Sequence, residues 1–388
     1  MLPPSEIALT HSRSVQAMIR EKILAAHHWI SFEDYMNLAL YAPGLGYYSS
    51  GAAKLGSAGD FVTAPEISPL FGRTLARQLK QILQHMAQAD ILEFGAGSGK
   101  LVRDILLELE KSAALPRKYY ILEVSPDLRQ RQQTLLADEA PHLIHRIEWL
   151  EQLPDPFTGI MLANEVLDAM PVHIVRWYHD AVLERGVTWQ NDRFAWQDRT
   201  IADKELFDTA GQLTATINPD HESIDYVSEI NLTAMHFMRS LASALQQGIL
   251  LFIDYGFGRS EYYHPQRNQG TLMCHYRHHA HDDPFYLPGL QDITSHVDFS
   301  ALTQVAENSG LELLGYTTQA YFLLNCGVTE MLAQTSTEDI HRYLPQSNQL
   351  QKLVSPAEMG ELFKVIAFGK NFSEPLSGFN AGDMSRLL

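Results

Sequence analysis

The chain has few cysteines and few positive charges for its 388 residues. Its two cysteines, Cys274 and Cys326, are too few for a disulfide framework or a cysteine-built zinc site, so we expect a reducing cytoplasm as its location. The 29 Lys and Arg residues are outnumbered by 46 Asp and Glu residues, which gives a formal net charge of −17. This balance disfavours a general nucleic-acid binder and would attract a basic substrate segment.

Long apolar runs and the pattern of a leader segment are also missing. No run approaches the length of about 20 residues that a membrane-spanning helix needs, and the N-terminus lacks a basic stretch followed by an apolar one. We therefore expect no membrane span, no secretory signal and no transit peptide. Hydrophobic residues make up 45% of the chain and charged residues 19%, which is typical of a globular protein with one large domain plus insertions, or with two domains.

Residues 91–101, ILEFGAGSGKL, combine a buried-strand signal with a glycine turn and the start of a helix. The first four residues are an apolar run, and an amphipathic pattern extends over 101–109. Gly95, Gly97 and Gly99 allow backbone angles that a side chain would forbid. A bare backbone ahead of a helix N-terminus lets a polar or anionic group approach closely, so dinucleotides, nucleoside triphosphates and adenosyl cofactors are candidate ligands.

The spacing of the glycines separates these candidates. A phosphate-binding P-loop would need glycine at Phe94 and a hydroxyl at Leu101, so this interpretation fails at both positions. A dinucleotide fingerprint is weakened because Gly99 comes one residue early. What remains is acidic-x-Gly-x-Gly-x-Gly headed by Glu93, which resembles the first motif of class I S-adenosylmethionine-dependent methyltransferases. A purely structural turn is the alternative.

A second apolar run, YYILEV at 119–124, follows where a βαβ unit would bring its next parallel strand. Glu123 near its end could accept both hydroxyls of a ribose, although a strand-end glutamate can also simply face solvent. The prediction for this corner is a set of cofactor-binding residues: Glu93, Gly95, Ala96, Gly97, Gly99, Glu123 and Val124.

The segment GDFVTAPEISPLFG, residues 59–72, places Asp60, Thr63, Glu66 and Ser68 around Pro65, ahead of an apolar helix. Helix capping is the default explanation for Ser68 or Thr63. We add three residues of this segment to the predicted cofactor site: Thr63, Pro65 and Glu66.

This segment, together with EFGAGSG, EVSPDLRQRQ and ANEVLDAMPVH, resembles the MidA-like family, which includes the mitochondrial protein-arginine methyltransferase that assists assembly of respiratory complex I. The resemblance continues through DYGFGRSEYY, GTLMCHYRHH and LPGLQDITSHVDFSAL, so it covers nearly the whole chain. It implies a class I methyltransferase sheet with helical and β insertions, S-adenosyl-L-methionine as cofactor, and a protein substrate.

Periodicity along the chain independently predicts an α/β fold with a doubly wound, Rossmann-like sheet. Two N-terminal helices are expected within residues 10–41, with Ser31 and Asp34 at the start of the second. Alternating residues at 173–198, with turn signals at His179-Asp180 and Asn191-Asp192, predict an inserted β meander. The remaining expected elements are strands at 147–150, 159–166 and 248–255, helices at 127–136, 228–245 and 301–309, and an antiparallel closing pair at 313–320 and 362–368. The predicted divisions are an N-terminal region at 1–80, a first core half at 81–171, a β-rich substrate or lid region at 172–227, and a second core half at 228–388 with an inserted loop at 257–298.

Polar residues end the fourth and fifth predicted strands, where a doubly wound sheet has its ligand crevice. Asn164, Glu165 and Asp168 are the predicted catalytic residues, because transfer to a guanidinium needs carboxylates that orient its planar donors and hold positive charge. Asp168 could instead cap the segment before Pro171. His173 is a candidate proton acceptor, with an ordinary half-buried histidine as the alternative.

The run HYRHHAHDD, residues 275–283, invites a metal site, but its spacing fits no closed zinc pattern, so we predict no metal and interpret the run as a loop over the substrate. The leading hypothesis is a protein-arginine N-methyltransferase that forms symmetric dimethylarginine on a NADH-quinone oxidoreductase subunit, which the resemblance implies. A small-molecule N- or O-methyltransferase and a non-catalytic assembly chaperone with a cofactor pocket are the alternatives. The sequence is compatible with a homodimer.

Overall fold

The computed structural model describes residues 4–50, 62–86, 88–219 and 223–388, so the predicted Asp60 lies outside the described residues. Within these ranges there are thirteen α-helices: α1 Glu6–Ala25, α2 Phe32–Tyr41, α3 Ala64–Ile67, α4 Pro69–Gln84, α5 Lys100–Lys111, α6 Pro126–Glu139, α7 Lys204–Ile217, α8 Leu232–Ala244, α9 Arg259–Tyr262, α10 Phe299–Asn308, α11 Gln319–Asn325, α12 Val328–Leu332 and α13 Ile340–Val354. The same ranges contain sixteen strands: β1 Ile30–Ser31, β2 Asp90–Phe94, β3 Tyr119–Leu122, β4 Ile147–Leu150, β5 Phe157–Asn164, β6 His173–Tyr178, β7 Ala181–Gln190, β8 Arg193–Thr200, β9 Asp225–Ile230, β10 Leu245–Phe257, β11 Met273–Tyr276, β12 His279–His281, β13 Asp292–Thr294, β14 Val297–Asp298, β15 Glu312–Thr318 and β16 Phe363–Lys370.

The chain divides into two compact units. Within the described residues, the core unit consists of 62–86, 88–167, 237–256 and 300–388, and the insertion unit consists of 4–50, 168–219, 223–236 and 257–299. Helix α4 packs its apolar face into the hydrophobic cluster of the core unit.

The core unit is built on a sheet with the strand order β15-β16-β10-β5-β2-β3-β4. The five strands β10, β5, β2, β3 and β4 run parallel to one another. Strand β16 is antiparallel to both β10 and β15. The predicted doubly wound sheet with an antiparallel closing pair is therefore confirmed. Because the strand order reverses between β2 and β5, the ligand crevice of such a sheet lies beyond the carboxyl ends of these two strands.

Continuous apolar runs make these strands, since a parallel sheet is covered on both faces. All five residues of β2 are buried, and Ile91 pairs with Ile160 on one side and Tyr119 on the other. Amphipathic helices α4 and α5 pack Leu75, Leu79 and Ile105 into the same cluster. The packing places the glycine turn between β2 and α5 at the carboxyl edge of the sheet.

The insertion unit contains an antiparallel sheet in the order β1-β7-β6-β9, with β8 pairing to β7. The predicted meander over 173–198 is confirmed as β6, β7 and β8. His179, Asn191 and Asp192 adopt left-handed backbone angles in its turns. The two N-terminal helices are also confirmed, and Ser31 caps α2 by accepting from the backbone N–H of Asp34 at 3.0 Å.

Two expectations for this unit are wrong. The helix predicted to begin at Ser228 begins four residues later, because 225–230 form β9 against β6, and the Asn231 side chain then caps α8 by accepting from Ala234 N at 2.8 Å. The histidine-rich run is a β-hairpin and not a loop: β11 and β12 pair around Arg277 and His278, whose positive φ angles of 49° and 61° suit a two-residue turn.

Within the part of the chain that the structure describes, no helix is long and apolar enough to cross a bilayer. The described residues likewise contain no group of three His, Cys, Asp or Glu side chains that could hold a metal ion. Cys274 and Cys326 are both buried free thiols.

Candidate functional site

The glycine turn follows β2 directly and leads into α5. Gly95, Gly97 and Gly99 have φ angles of 60°, 54° and 86°, which side chains rarely adopt. The turn is held by hydrogen bonds from Gly95 N to Leu122 O at 3.0 Å and from Gly99 N to Ala96 O at 2.8 Å. Ala96 itself is buried. The result is bare main chain presented at the carboxyl edge of the sheet.

Glu123 lies one residue beyond β3, and neighbouring groups fix its carboxylate. Ser125 N donates to Oε1 and Gln132 Nε2 donates to Oε2, both at 2.9 Å. Gln132 is fully buried, also donates to Gly97 O at 3.0 Å, and accepts from Trp149 Nε1 at 3.0 Å. This glutamine therefore ties the predicted ribose-binding carboxylate to the glycine turn, a role that no motif in the sequence signals.

Val124, the neighbour of Glu123, is 69% exposed. An apolar side chain exposed this far beside the glycine turn is available to cover one face of a flat ligand.

Glu93 is buried at the end of β2, where it accepts a hydrogen bond from the hydroxyl of Tyr119. The pKa of Glu93 is raised to about 8, mainly by burial; the hydrogen bond from the Tyr119 hydroxyl lowers this pKa, and the negative charge of Glu123 raises it. Burial also raises the pKa of Tyr119 well above its usual range, with Glu93 contributing. The acidic head of the glycine motif is thus paired with a tyrosine beneath the turn.

The short helix α3 brings a third segment to the glycine turn. Glu66 accepts from the hydroxyl of Ser98 and from Lys100 Nζ, the latter at 2.5 Å, and the Glu66 side chain is only 8% exposed. Pro65 lies in the first turn of this helix. Thr63 makes no capping hydrogen bond with its side chain, so capping does not explain it.

Ser68, by contrast, is buried and accepts from Leu70 N at 3.3 Å, so capping of α4 does explain this residue.

A second cluster lies at the end of β5. Glu165 has a left-handed backbone with φ of 53°, and its N–H donates to Ile253 O at 2.9 Å. Its carboxylate Oε1 accepts from Asn164 Nδ2 at 3.1 Å and from Ala64 N of α3 at 3.3 Å. The Asn164 Oδ1 atom is buried and has no hydrogen-bond partner among the described residues. A buried acceptor of this kind can accept from a ligand or from an ordered water.

The main chain that follows Glu165 is held by Asp254 at the end of the central strand β10. Asp254 is 1% exposed, and its Oδ2 accepts from Val166 N at 3.2 Å and Leu167 N at 2.9 Å. Its Oδ1 accepts from Tyr255 N at 3.0 Å. No pattern in the sequence indicates these backbone contacts.

Asp168, which is predicted to be catalytic, and His173, the candidate proton acceptor, belong to the insertion unit. Asp168 is buried in the insertion unit, where its backbone carbonyl accepts from Ser295 N at 3.0 Å. His173 lies there too, with Nδ1 2.8 Å from Glu184 Oε1. The core unit thus brings Asn164 and Glu165 together with the glycine turn, the Glu123 carboxylate and α3.

These residues fit an adenosyl cofactor. The glycine turn offers main chain without side chains, and Glu123 offers a fixed carboxylate for ribose hydroxyls. Asn164 offers a buried acceptor with no protein donor in the described chain. The Glu165 carboxylate beside it can receive a cationic group that is rich in hydrogen-bond donors.

Comparison with known proteins gives concordant matches. A family model for S-adenosyl-L-methionine-dependent methyltransferases matches residues 74–317. "Protein arginine methyltransferase NDUFAF7, mitochondrial" of Danio rerio is 30% identical over 92% of this chain and 87% of its own length. The Homo sapiens protein of that name is 29% identical, covering 87% and 79%. A crystal structure of a COG1565 superfamily member from Burkholderia thailandensis, bound to S-adenosyl-homocysteine, is 47% identical, with a TM-score of 0.95 and full coverage of both chains.

Proposed function

Because the chain belongs to the family of S-adenosyl-L-methionine-dependent methyltransferases, we propose that it methylates arginine side chains of a protein substrate. The cofactor and the methyltransferase class follow from the family match and from the Burkholderia relative with S-adenosyl-homocysteine bound. The MidA-like resemblance is confirmed by the same matches. Arginine as acceptor is supported by the names of the curated relatives and by the chemistry of Asn164 and Glu165.

The cofactor-binding residues in this proposal surround the glycine turn. Main chain at 95–99 approaches the cofactor, the Glu123 carboxylate accepts from its ribose, and Val124 covers its base. Glu66 holds the glycine turn by accepting hydrogen bonds from Ser98 and Lys100. Glu93 supports the turn from the end of β2, where it accepts from Tyr119. The remaining members of the predicted set are Thr63, Pro65, Ala96 and Gly99.

The acceptor side is carried by Glu165. When bound, S-adenosyl-L-methionine supplies an electrophilic methyl group on a positively charged sulfur. Glu165 accepts two N–H donors of a guanidinium and thereby concentrates electron density on the nitrogen that attacks. The nitrogen that gains the methyl group loses one proton, which passes to the Glu165 carboxylate. Asn164 Oδ1 accepts a further donor and helps to fix the orientation. Asp168 stays the third predicted catalytic residue.

The observation that carries the proposal is the carboxylate of Glu165, held by Ala64 N and Asn164 Nδ2 within the unit that contains the glycine turn. The net charge of −17 suits a basic protein segment as substrate. We further propose a subunit of NADH-quinone oxidoreductase as the acceptor protein and symmetric dimethylarginine as the product, both on the family resemblance. A cytoplasmic location and a homodimer stay predictions.

The test is incubation of the purified protein with methyl-labelled cofactor and a cell lysate, followed by separation by mass. We expect label in one protein band, with hydrolysis releasing symmetric dimethylarginine. Label confined to the low-mass fraction would refute the proposal and favour a small-molecule methyltransferase. A non-catalytic chaperone would be favoured by two results together: no label at all, and normal assembly of NADH-quinone oxidoreductase in cells that carry Glu165→Gln.

Glu165→Gln is the decisive variant, because the amide keeps the size of the side chain but loses the charge that holds the guanidinium. We expect binding of S-adenosyl-homocysteine within about threefold of the original protein and turnover at least about 100-fold lower. The exposed Glu151, changed to Gln, is the control for loss of one negative charge. Full turnover of the Glu165 variant would remove this residue from the chemistry.

A further inference from the structure

The proposed chemistry assigns no role to Asp254, a buried carboxylate at the site. It lies at the carboxyl edge of the sheet on β10, the strand next to β5. Its two oxygens accept from three backbone N–H groups, those of Val166, Leu167 and Tyr255, at 2.9 to 3.2 Å. Burying a carboxylate costs several kcal/mol unless such partners compensate it.

The backbone that Asp254 holds is strained. Glu165 adopts φ of 53°, and for a residue with a side chain this left-handed region is unfavourable. Strain of this kind persists only where surrounding bonds over-determine the conformation. Here three successive N–H groups bind to β10: that of Glu165 to Ile253 O, and those of Val166 and Leu167 to Asp254.

The turn at 165–167, which Asp254 anchors, contributes to both the acceptor side and the cofactor side of the proposed site. Its Glu165 carboxylate is the proposed acceptor-binding group, held by Ala64 N and Asn164 Nδ2. Its Val166 side chain lies against the glycine turn, since a Cβ atom added to Gly95 would lie 3.2 Å from Val166 Cγ2. A shift of the turn would therefore move the acceptor carboxylate relative to the glycine turn.

We propose that Asp254 is a positioning residue for methyl transfer, which holds the strained 165–167 turn so that the Glu165 carboxylate faces the acceptor. The proposal rests on the proposed function, because it needs Glu165 to act on the acceptor. Asp254 touches neither substrate nor cofactor in this account. It acts through the main-chain N–H groups that it holds, so its removal lowers turnover more than binding.

Asp254→Asn tests this with minimal change of shape, because the amide retains one oxygen for Val166 and Leu167 and faces Tyr255 N with a donor. We expect kcat to fall by about 10-fold or more, because displacement of a catalytic group by about 1 Å can cost about 100-fold. The Kd for S-adenosyl-homocysteine and the KM for the protein substrate should change by less than about threefold. Unchanged kcat would overturn the proposal, as would an equal loss in kcat and in cofactor affinity.

Asp90→Asn is the matched control. Asp90 is a buried aspartate of the same sheet that accepts from a backbone N–H, that of Lys118 at 3.0 Å, but it lies at the opposite end of the strands. It should lose thermal stability while kcat of the folded protein stays within about twofold. If both variants lose kcat alike, Asp254 contributes to the fold alone and the proposal is wrong.

A double-mutant cycle separates failure of this inference from failure of the proposed function. If Asp254 acts through Glu165, adding Asp254→Asn to Glu165→Gln should lower turnover by less than about twofold further, since coupled residues are not additive. An equal effect in both backgrounds would overturn the positioning role. Full turnover of Glu165→Gln alone would instead refute the proposed function, whatever the Asp254 variant does.

Discussion

Replacement of Glu93 by Gln should remove a pH dependence of folding stability. Glu93 is buried beneath the glycine turn and accepts from the Tyr119 hydroxyl, and burial raises its pKa from 4.5 to about 8. Between these two values the unfolded chain has released the proton while the folded chain retains it. The stability that this group contributes is therefore fully present below about 4.5 and is lost as the pH rises through about 8.

The magnitude follows from the two pKa values of Glu93. At about 1.4 kcal/mol for each pH unit, the change from 4.5 to about 8 corresponds to about 5 kcal/mol in the free energy of unfolding. This is comparable with the whole stability of many domains, which is about 5 to 15 kcal/mol. Glutamine has the same shape, does not titrate, and keeps an oxygen that can accept from Tyr119. The free energy of unfolding of the variant should therefore increase relative to that of the original protein as the pH rises.

Denaturant unfolding at pH 5.5 and pH 7.5 measures the effect. We expect the difference in unfolding free energy between Glu93→Gln and the original protein to change by about 3 kcal/mol in favour of the variant over this interval. Glu151→Gln, at an exposed position, controls for the general effect of removing one carboxylate. A difference that stays constant within about 0.5 kcal/mol across this pH interval would refute the argument that burial withholds ionisation of Glu93.

Two further substitutions address the cofactor site. Gly97→Val should leave a folded protein that no longer binds S-adenosyl-homocysteine, because φ of 54° is strained for valine and its side chain would fill the approach to the main chain; unchanged affinity in calorimetry would contradict the assigned pocket. Gln132→Leu should weaken the same affinity by about 10-fold or more, because the Glu123 carboxylate and the Gly97 carbonyl both lose a donor; an affinity within twofold of the original would show that Gln132 does not orient Glu123.

The parts of the fold that the sequence predicts well are those where local chemistry leaves one solution. Mainly apolar runs predict β2, β5 and β10, since a strand that is covered on both faces buries most of its side chains. The glycine turn is predictable for a similar reason, because only glycine adopts all three of its left-handed backbone angles at low cost. Turn residues with left-handed angles likewise marked the ends of the meander strands.

The parts that the sequence does not predict depend on partners far along the chain. β9 is short and runs into α8 with one residue between them, so helical periodicity appeared to begin at Ser228. Its strand conformation comes from pairing with β6, which local propensity cannot show. Helices α11 to α13, over 319–354, were not predicted at all. α13 even has Pro345 inside it, and proline normally argues against a helix interior.

The same division applies to the site. Gly97 and Glu123 lie in motifs that predict their roles, but the residues that form hydrogen bonds around them do not. Gln132 is one polar residue on a helix, and Lys100 follows the last glycine like any helix-starting residue. Their partners, Glu123 at nine residues and Glu66 at 34 residues along the chain, become visible only when the sheet is assembled.

The four residues of α3 show why these holding groups matter for catalysis. Ala64 N donates to the Glu165 carboxylate, and Glu66, two residues later, accepts from Ser98 and Lys100. One short helix therefore contacts both the turn proposed to bind the acceptor and the turn proposed to bind the cofactor. Because positioning of the two reactants supplies much of the rate of a methyl transfer, the separation of these two turns has to be fixed. Asp254 holds the 165–167 turn through the main-chain N–H groups of Val166 and Leu167, and α3 contacts both turns through Ala64 N and the Glu66 side chain. The relative position of the two turns is therefore set by contacts that no single motif contains.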